Sequence, residues 1–411
     1  MANTRNPLIF IFITRIIDAI GFGIVMPVLP KLLLSMGATD VASATRIGGL
    51  LLVTYAILQF FCGPVIGNLS DRYGRRPVIL ISLFAYGFDY MLTGFAPTIA
   101  WLFLGRAVAG IAGAVYVPAN AFVADVTPPE KRARAFGIVS AAFGLGFIIG
   151  PGIGGLLGEL GPRAPFFAAG GLAILNFLFG MFVLPESLPV ERRRAFSWGR
   201  ANPLKVVESL NKYPSVLVYA LVVTAFMLAT NVYPSTWAFF TSAKFEWSSG
   251  MIGLSLVATG TGMALVQAGL IGPAVKKFGE ARTALFGLSM ACAAGLAYAF
   301  VPTAWVIFLI IPIGSFQALA IPALNALMSK SVPPTAQGEL QGCVASLMSV
   351  ANIAGPFVMT QTMAYFTGPN TLVHFPGAAF IVAASINLTA MLMLASRVSR
   401  VASRPVAMES D

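Results

Sequence analysis

Apolar runs of about twenty residues or more recur twelve times along this 411-residue chain, near 8–34, 46–68, 77–96, 98–124, 134–158, 165–184, 213–240, 250–274, 282–301, 303–328, 337–362 and 375–396. A helix needs about 20 apolar residues to cross the hydrocarbon of a bilayer, where every backbone amide and carbonyl must find its partner without water. The pattern predicts an all-α membrane protein of twelve transmembrane helices. Composition agrees, with 57% of residues hydrophobic and 10% charged, against about 25% charged in an ordinary soluble domain.

The charges test the count. With loops assigned alternately to two sides, twenty Lys and Arg fall on the side that holds both termini, and only Lys31, Arg46, Arg163 and Lys244 on the other. The remaining two, Arg15 and Arg106, lie inside predicted spans. Such an excess marks the cytoplasmic side, so both termini are expected in the cytoplasm, from a multi-pass protein of the inner membrane. The net charge of +11 is then explained without nucleic acid. The first apolar run continues past Pro30 with no small-residue cleavage site, so no cleavable signal peptide is expected. Cys62, Cys292 and Cys343 all fall in apolar runs and read as packing residues, suggesting neither a disulfide framework nor a metal site.

The one long polar stretch, 185–212, divides six helices from six. It sets bundles at 1–184 and 213–396, a linker between them, and a tail from 397 to 411. The halves are related. "GNLSDRYG" (67–74) aligns with "GPAVKKFG" (272–279), "PPEKRARAFG" (128–137) with "PPTAQGELQG" (333–342), and "IGPGIGG" (149–155) with "AGPFVMT" (354–360), all at an offset of 205 residues. One offset at three separated places points to the parallel repeat of a transporter, whose substrate site lies near the midplane between the halves.

Of fifteen acids, only Asp18 and Asp89 lie well inside predicted spans. A carboxylate in hydrocarbon takes up a proton or finds a cation, and a buried arginine needs compensation in the same way. Asp18, Asp89 and Arg106 are therefore candidates for proton coupling; the plainer reading is a set of buried ion pairs and hydrogen bonds between helices. Arg15, one turn before Asp18, can reach it at i, i+3 and is read as a helper whose charge favours the carboxylate, or as an anchor snorkelling to the surface.

"GNLSDRYGRRP" (67–77) resembles the signature loop of the major facilitator superfamily. The resemblance implies a cytoplasmic latch in which Gly67 and Gly74 shape the turn, Asp71 faces the start of helix 11, Arg72 completes the motif, and Arg75 pairs with an acid at the end of helix 4, here Asp125. The second-half copy lacks the acid and the double arginine, so the latch is expected to be one-sided. "LGRAVAGIAGA", with Arg106, is similar to the helix-4 motif of that superfamily. "FGLGFIIGPGIGGLLG" (143–158), with Gly150, Pro151, Gly154 and Gly155, resembles its antiporter motif, and a Gly-Pro pair of this kind bends a helix while small residues let it pack closely.

With "FDYML", "ALNALMS" and "GELQG", these segments resemble the tetracycline-efflux type of drug:proton antiporter through both halves. The resemblance carries substrate and proton handling onto Asp18, Asp89, Arg106 and Gln267. Two positions depart from it: the helix-9 acid falls on Ala291 and a helix-8 histidine on Met263. Tetracycline leaves as a metal chelate in that family, so the loss of an acid and an imidazole from the second half counts against tetracycline itself as the substrate, while the mode of transport keeps its first-half acids. Neutral polar and aromatic side chains, Tyr55, Gln59, Phe226, Asn231, Trp237, Gln317 and Asn325, are further candidates for lining a substrate path. His374 is read as a surface residue.

The expected function is export of an amphiphilic drug-like molecule by alternating access. Protons are the coupling ion, no cofactor or metal is involved, and the protein works as a monomer in the bilayer. The alternatives are a proton symporter importing a small metabolite and a transport-silent membrane sensor. No His-Glu-x-x-His or Gly-x-Ser-x-Gly is present to suggest an enzyme.

Overall fold

A computed structural model describes residues 7–198, 214–333 and 336–402. The later part of the expected linker, the end of the tail, and Arg5, Arg200, Lys205, Lys212 and Arg404 of the charge count lie outside the described residues. Among the described residues, twelve helices are long and apolar enough to cross a membrane. They are α1 (Leu8–Val25), α2 (Val41–Tyr73), α3 (Arg75–Phe95), α4 (Ile99–Val126), α5 (Pro129–Leu160), α6 (Ala164–Val183), α7 (Val216–Phe245), α8 (Ser249–Gly269), α9 (Ile271–Phe300), α10 (Val306–Lys330), α11 (Leu340–Thr367) and α12 (Ala378–Ser399).

The boundaries that moved have local causes. The first helix, expected to run to 34, stops at Val25 and resumes as a short helix, Leu29–Ser35; Pro27 lies at the break, where a missing N–H and a fixed φ interrupt helical pairing. Helix α2 starts five residues before the expected position because Asp40 and Ser43 form a capping box. The Asp40 carboxylate accepts the Ser43 N–H at 2.7 Å, and the Ser43 hydroxyl accepts the Asp40 N–H at 3.2 Å. Within α7 a turn falls at Asn231, and α10 tightens into a 3₁₀ segment over Phe316–Leu319.

Two compact units result. The first comprises Met1–Pro203, Tyr233–Thr261 and Pro356–Pro376, the second Leu204–Val232, Gly262–Gly355 and Gly377–Asp411. In the first, α1 packs along α5 and α6, and α3 along α4 and α6, around Phe10, Ile79, Leu83, Phe122 and Val139. In the second, α9 packs on α10 and α12, and the first part of α7 on α12, around Val222, Leu288, Leu324 and Leu394. Pairings 1–6, 3–4 and 3–6 thus recur as 7–12, 9–10 and 9–12, the sequence repeat expressed as packing.

Helix α5 shows why its glycines are there. Gly146, Gly150 and Gly154 lie against the carbonyls of Ile16, Ile20 and Ile24 of α1, and a Cβ at any of the three would collide with backbone. Both series step by four residues, so two helices meet backbone to backbone along one face, the close approach that small residues permit in lipid. Around the next face, a Cβ on Gly155 would come 2.7 Å from the Ser249 carbonyl and 3.1 Å from the Gly253 Cα of α8.

Candidate transport site

Among the described residues inside the spans of the first unit, polar groups form two ion pairs and a hydroxyl network. Arg106 on α4 reaches across to α3, its Nη2 2.6 Å from Asp89 Oδ2. Thr93, one turn on, donates its hydroxyl to the other carboxylate oxygen at 3.4 Å. The Asp89 side chain is 0% exposed. Gly105 makes the space: a Cβ there would lie 2.5 Å from Asp89 Oδ1 and 3.0 Å from the Thr93 hydroxyl. Arg106 also lines a small, mainly apolar cleft with Phe22, Met26, Leu52, Pro234 and Phe239.

The second pair stays within one helix. Arg15 Nη1 lies 3.6 Å from Asp18 Oδ2, both side chains nearly buried. The guanidinium also lies 4.9 Å from the ring centre of Tyr116 and 5.3 Å from that of Phe143, within the range at which an aromatic face attracts a cation. Nearby in the same bundle, Gln59 donates to the Tyr55 hydroxyl at 3.0 Å and to the Gly113 carbonyl at 3.2 Å, and Tyr55 meets Tyr86 at 3.4 Å. Sequence reasoning brought Arg15 to Asp18 and named Arg106, Asp89, Tyr55 and Gln59. It named Tyr116 only as a cavity aromatic, and it missed Thr93, Gly105, Tyr86 and Phe143. Only Thr93 carried a signal, a hydroxyl one helical turn from a buried acid.

The loop between α2 and α3 is a dense charge network. Arg75 contacts Asp71 at 2.6 Å, Asp125 at 3.3 Å and the Ser70 hydroxyl at 2.6 Å, so the expected pairing with Asp125 is present. The start of the expected linker docks on the same loop. Glu186 accepts the backbone N–H of Arg75 at 2.9 Å and of Arg76 at 3.3 Å, supplying the carboxylate cap that the α3 terminus lacks locally. Ser187 donates to Asp125 at 3.1 Å, Arg194 N–H to the Asp71 carbonyl at 3.0 Å, and Asn68 to the Ser197 carbonyl at 2.7 Å. Gly74, at φ +105°, sits so close to Glu186 that a side chain would displace the carboxylate. Gly67 lets α2 approach Val117 of α4, and the Arg72 guanidinium covers the Tyr73 ring at 5.1 Å.

The remaining candidates are dispersed. The Trp237 indole donates to the Ser255 hydroxyl at 2.9 Å, deep in the first unit. In the second unit Asn231 donates to the Met227 carbonyl at 2.8 Å and to Asn352 at 3.2 Å. There Phe226 and Ala291 belong to the apolar core, Gln317 is buried, Asn325 partly buried, and Gln267 exposed. Met263 packs with Val266, Ala318 and Leu319. His374 is exposed.

A family model described as Major Facilitator Superfamily matches residues 11–356 and, in a second overlapping match, 219–410. The chain is a member of the major facilitator superfamily. It is 40% identical over 395 residues to the tetracycline resistance protein, class C, of Escherichia coli, covering 94% of this chain and 96% of that one. To the class B protein of the same species it is 34% identical over 347 residues, 84% and 86% of the two chains. Among solved structures, the human organic anion transporter MFSD10 (TETRAN) superposes with a TM-score of 0.68 at 26% identity, covering 96% of this chain and all of that one. The protein is thus a multi-pass membrane secondary transporter, built for transport rather than catalysis.

Proposed function

We propose that this superfamily member is a proton-coupled exporter of an amphiphilic antibiotic of the tetracycline kind, working by alternating access from the inner membrane with both termini in the cytoplasm. The observation that carries the reading is the placement of both intramembrane acids against intramembrane arginines, in a chain so similar to tetracycline resistance proteins. Each pair is neutral while its acid is ionised. A proton arriving on either acid leaves an unbalanced arginine, and a neutral or cationic substrate competes with that proton for the same carboxylate, which is the condition for exchange. The Arg106-lined cleft is where the apolar body of a substrate fits. Ala291 and Met263 leave the second half without titratable groups at those positions, so coupling falls to Asp18 and Asp89, with neither cofactor nor metal held by the protein and a monomer as the working unit.

The energetics suffice. A membrane potential supplies about 2.3 kcal/mol per charge per 100 mV, and at about 1.4 kcal/mol per decade one net charge moved sustains roughly a forty-fold gradient. The test is uptake of labelled tetracycline into inverted membrane vesicles. Acidifying the lumen should drive accumulation, which collapsing the gradient or introducing Asp89→Asn should abolish. Accumulation indifferent to the gradient overturns proton coupling, and expulsion of substrate on lumen acidification identifies an importer.

A further inference from the structure

The 205-residue repeat places the α8–α9 turn in register with the α2–α3 turn, and the backbone keeps that register. Gly74 and Gly279 occupy equivalent positions, and both take positive φ, +105° and +78°. Arg75 follows Gly74 and pairs with Asp125 at the end of α4; Glu280 follows Gly279 and pairs with Lys330 at the end of α10. Glu280 stands at the repeat position of Arg75, Lys330 at that of Asp125, and Lys276 at that of Asp71. The sequence expectation of a one-sided latch rested on missing residue types. What the second half has is the same trio with every sign reversed, and the central pair is made. A copy that had merely decayed to a solvated basic turn has no reason to place an acid at 280.

Reversal has a physical consequence. A helix N-terminus favours negative charge and a C-terminus positive charge. Glu280 opens the helical run after Gly279 and Lys330 closes α10, so both charges agree with their helix ends. In the first half both are opposed: Arg75 opens α3 and Asp125 lies in the last turn of α4. That brace needs help, and it has Asp71, the Ser70 hydroxyl and the Glu186 carboxylate gathered around it. Glu280, with its side chain 22% exposed, and Lys330, 67% exposed, manage with each other.

We propose that Glu280 and Lys330 form a second brace of inverted polarity, acting as positioning residues that keep the α8–α9 turn on the end of α10 throughout the transport cycle. The inference rests on the transport reading only for its effect on turnover.

The test uses the full chain with its three native cysteines replaced by serine and a reporter cysteine at Ser331. In purified protein, Glu280→Lys and Lys330→Glu should each raise the rate of maleimide labelling about three-fold, the scale of one networked surface pair. The swapped double variant should fall back to within about two-fold of the parent, the remainder reflecting charges now opposed to their helix ends. Labelling of the parent should not change when saturating tetracycline is added. Turnover in vesicles should fall in the single variants at unchanged KM and recover in the swap. A swap that labels as fast as the worse single variant overturns the brace, labelling that rises with tetracycline overturns its permanence, and turnover untouched in the single variants overturns its part in the cycle. Labelling needs no pH gradient and no transport, so it separates failure of the brace from failure of the export reading.

Discussion

The two intramembrane ion pairs of the first bundle have the same composition and opposite construction. Arg106 and Asp89 come from two helices, meet at 2.6 Å, and bury the carboxylate completely beneath Gly105 and Thr93. Arg15 and Asp18 come from adjacent turns of one helix and sit at 3.6 Å, the guanidinium resting against two aromatic rings. Neutralising Asp89 strips the tie between α3 and α4 and strands an arginine. Neutralising Asp18 leaves Arg15 with its rings, so the helix keeps its shape. On the proposed export reading, Asp18 is expected to load and unload its proton at a smaller structural cost than Asp89, whose pair also sets the frame around the cleft.

The comparison can be broken in order of expected effect. Asp89→Asn should abolish drug-dependent transport and lower stability in detergent by about 3–5 kcal/mol, the scale of removing one partner from a buried pair; thermal unfolding of purified protein checks it, and a stability close to the parent's would make the two pairs equivalent. Gly105→Val, which adds no charge, should cost about 1–3 kcal/mol by overpacking against the carboxylate, read in the same unfolding assay with transport strongly reduced. Asp18→Asn should stop proton-driven accumulation while lowering stability less than Asp89→Asn does in the same unfolding assay. Facilitated exchange of substrate without a gradient should survive, and its loss would show that Asp18 binds rather than couples. The smallest effect is expected from Arg15→Leu. Because Arg15 is the cation beside Asp18, the pH profile of transport should move with little change in maximal rate, whereas an unmoved profile reduces Arg15 to an anchor.

Much of this was legible from the chain because the bilayer enforces it. Twelve apolar runs became twelve helices among the described residues, and the two acids inside them had to take up a proton or find a cation, the two arginines to find a partner or reach the surface. What escaped was whatever depended on the geometry of neighbours. Gly105 reads as one more small residue until α3 is known to lay a carboxylate over it. Tyr116 and Phe143 are aromatic residues among many in a membrane protein, and nothing local marks them as a seat for Arg15. Glu186 looked like part of a linker, yet it caps a helix more than a hundred residues earlier. Lys276, Glu280 and Lys330 escaped for another reason: a motif recognised by residue type goes unseen when its charges are exchanged, although the electrostatics that give the motif its purpose survive.

The glycines of α5 at the α8 contact have a thermodynamic consequence. Where Gly155 meets Ser249 and Gly253, the surfaces that touch are main chain and hydrogen. If that seam parts and closes in every transport cycle, no rotamer is frozen at the Gly155 contact itself, whereas one turn on Glu159, whose carboxylate accepts the Gly250 N–H at 2.7 Å, must order its side chain at each closure, at up to about 2 kcal/mol of entropy.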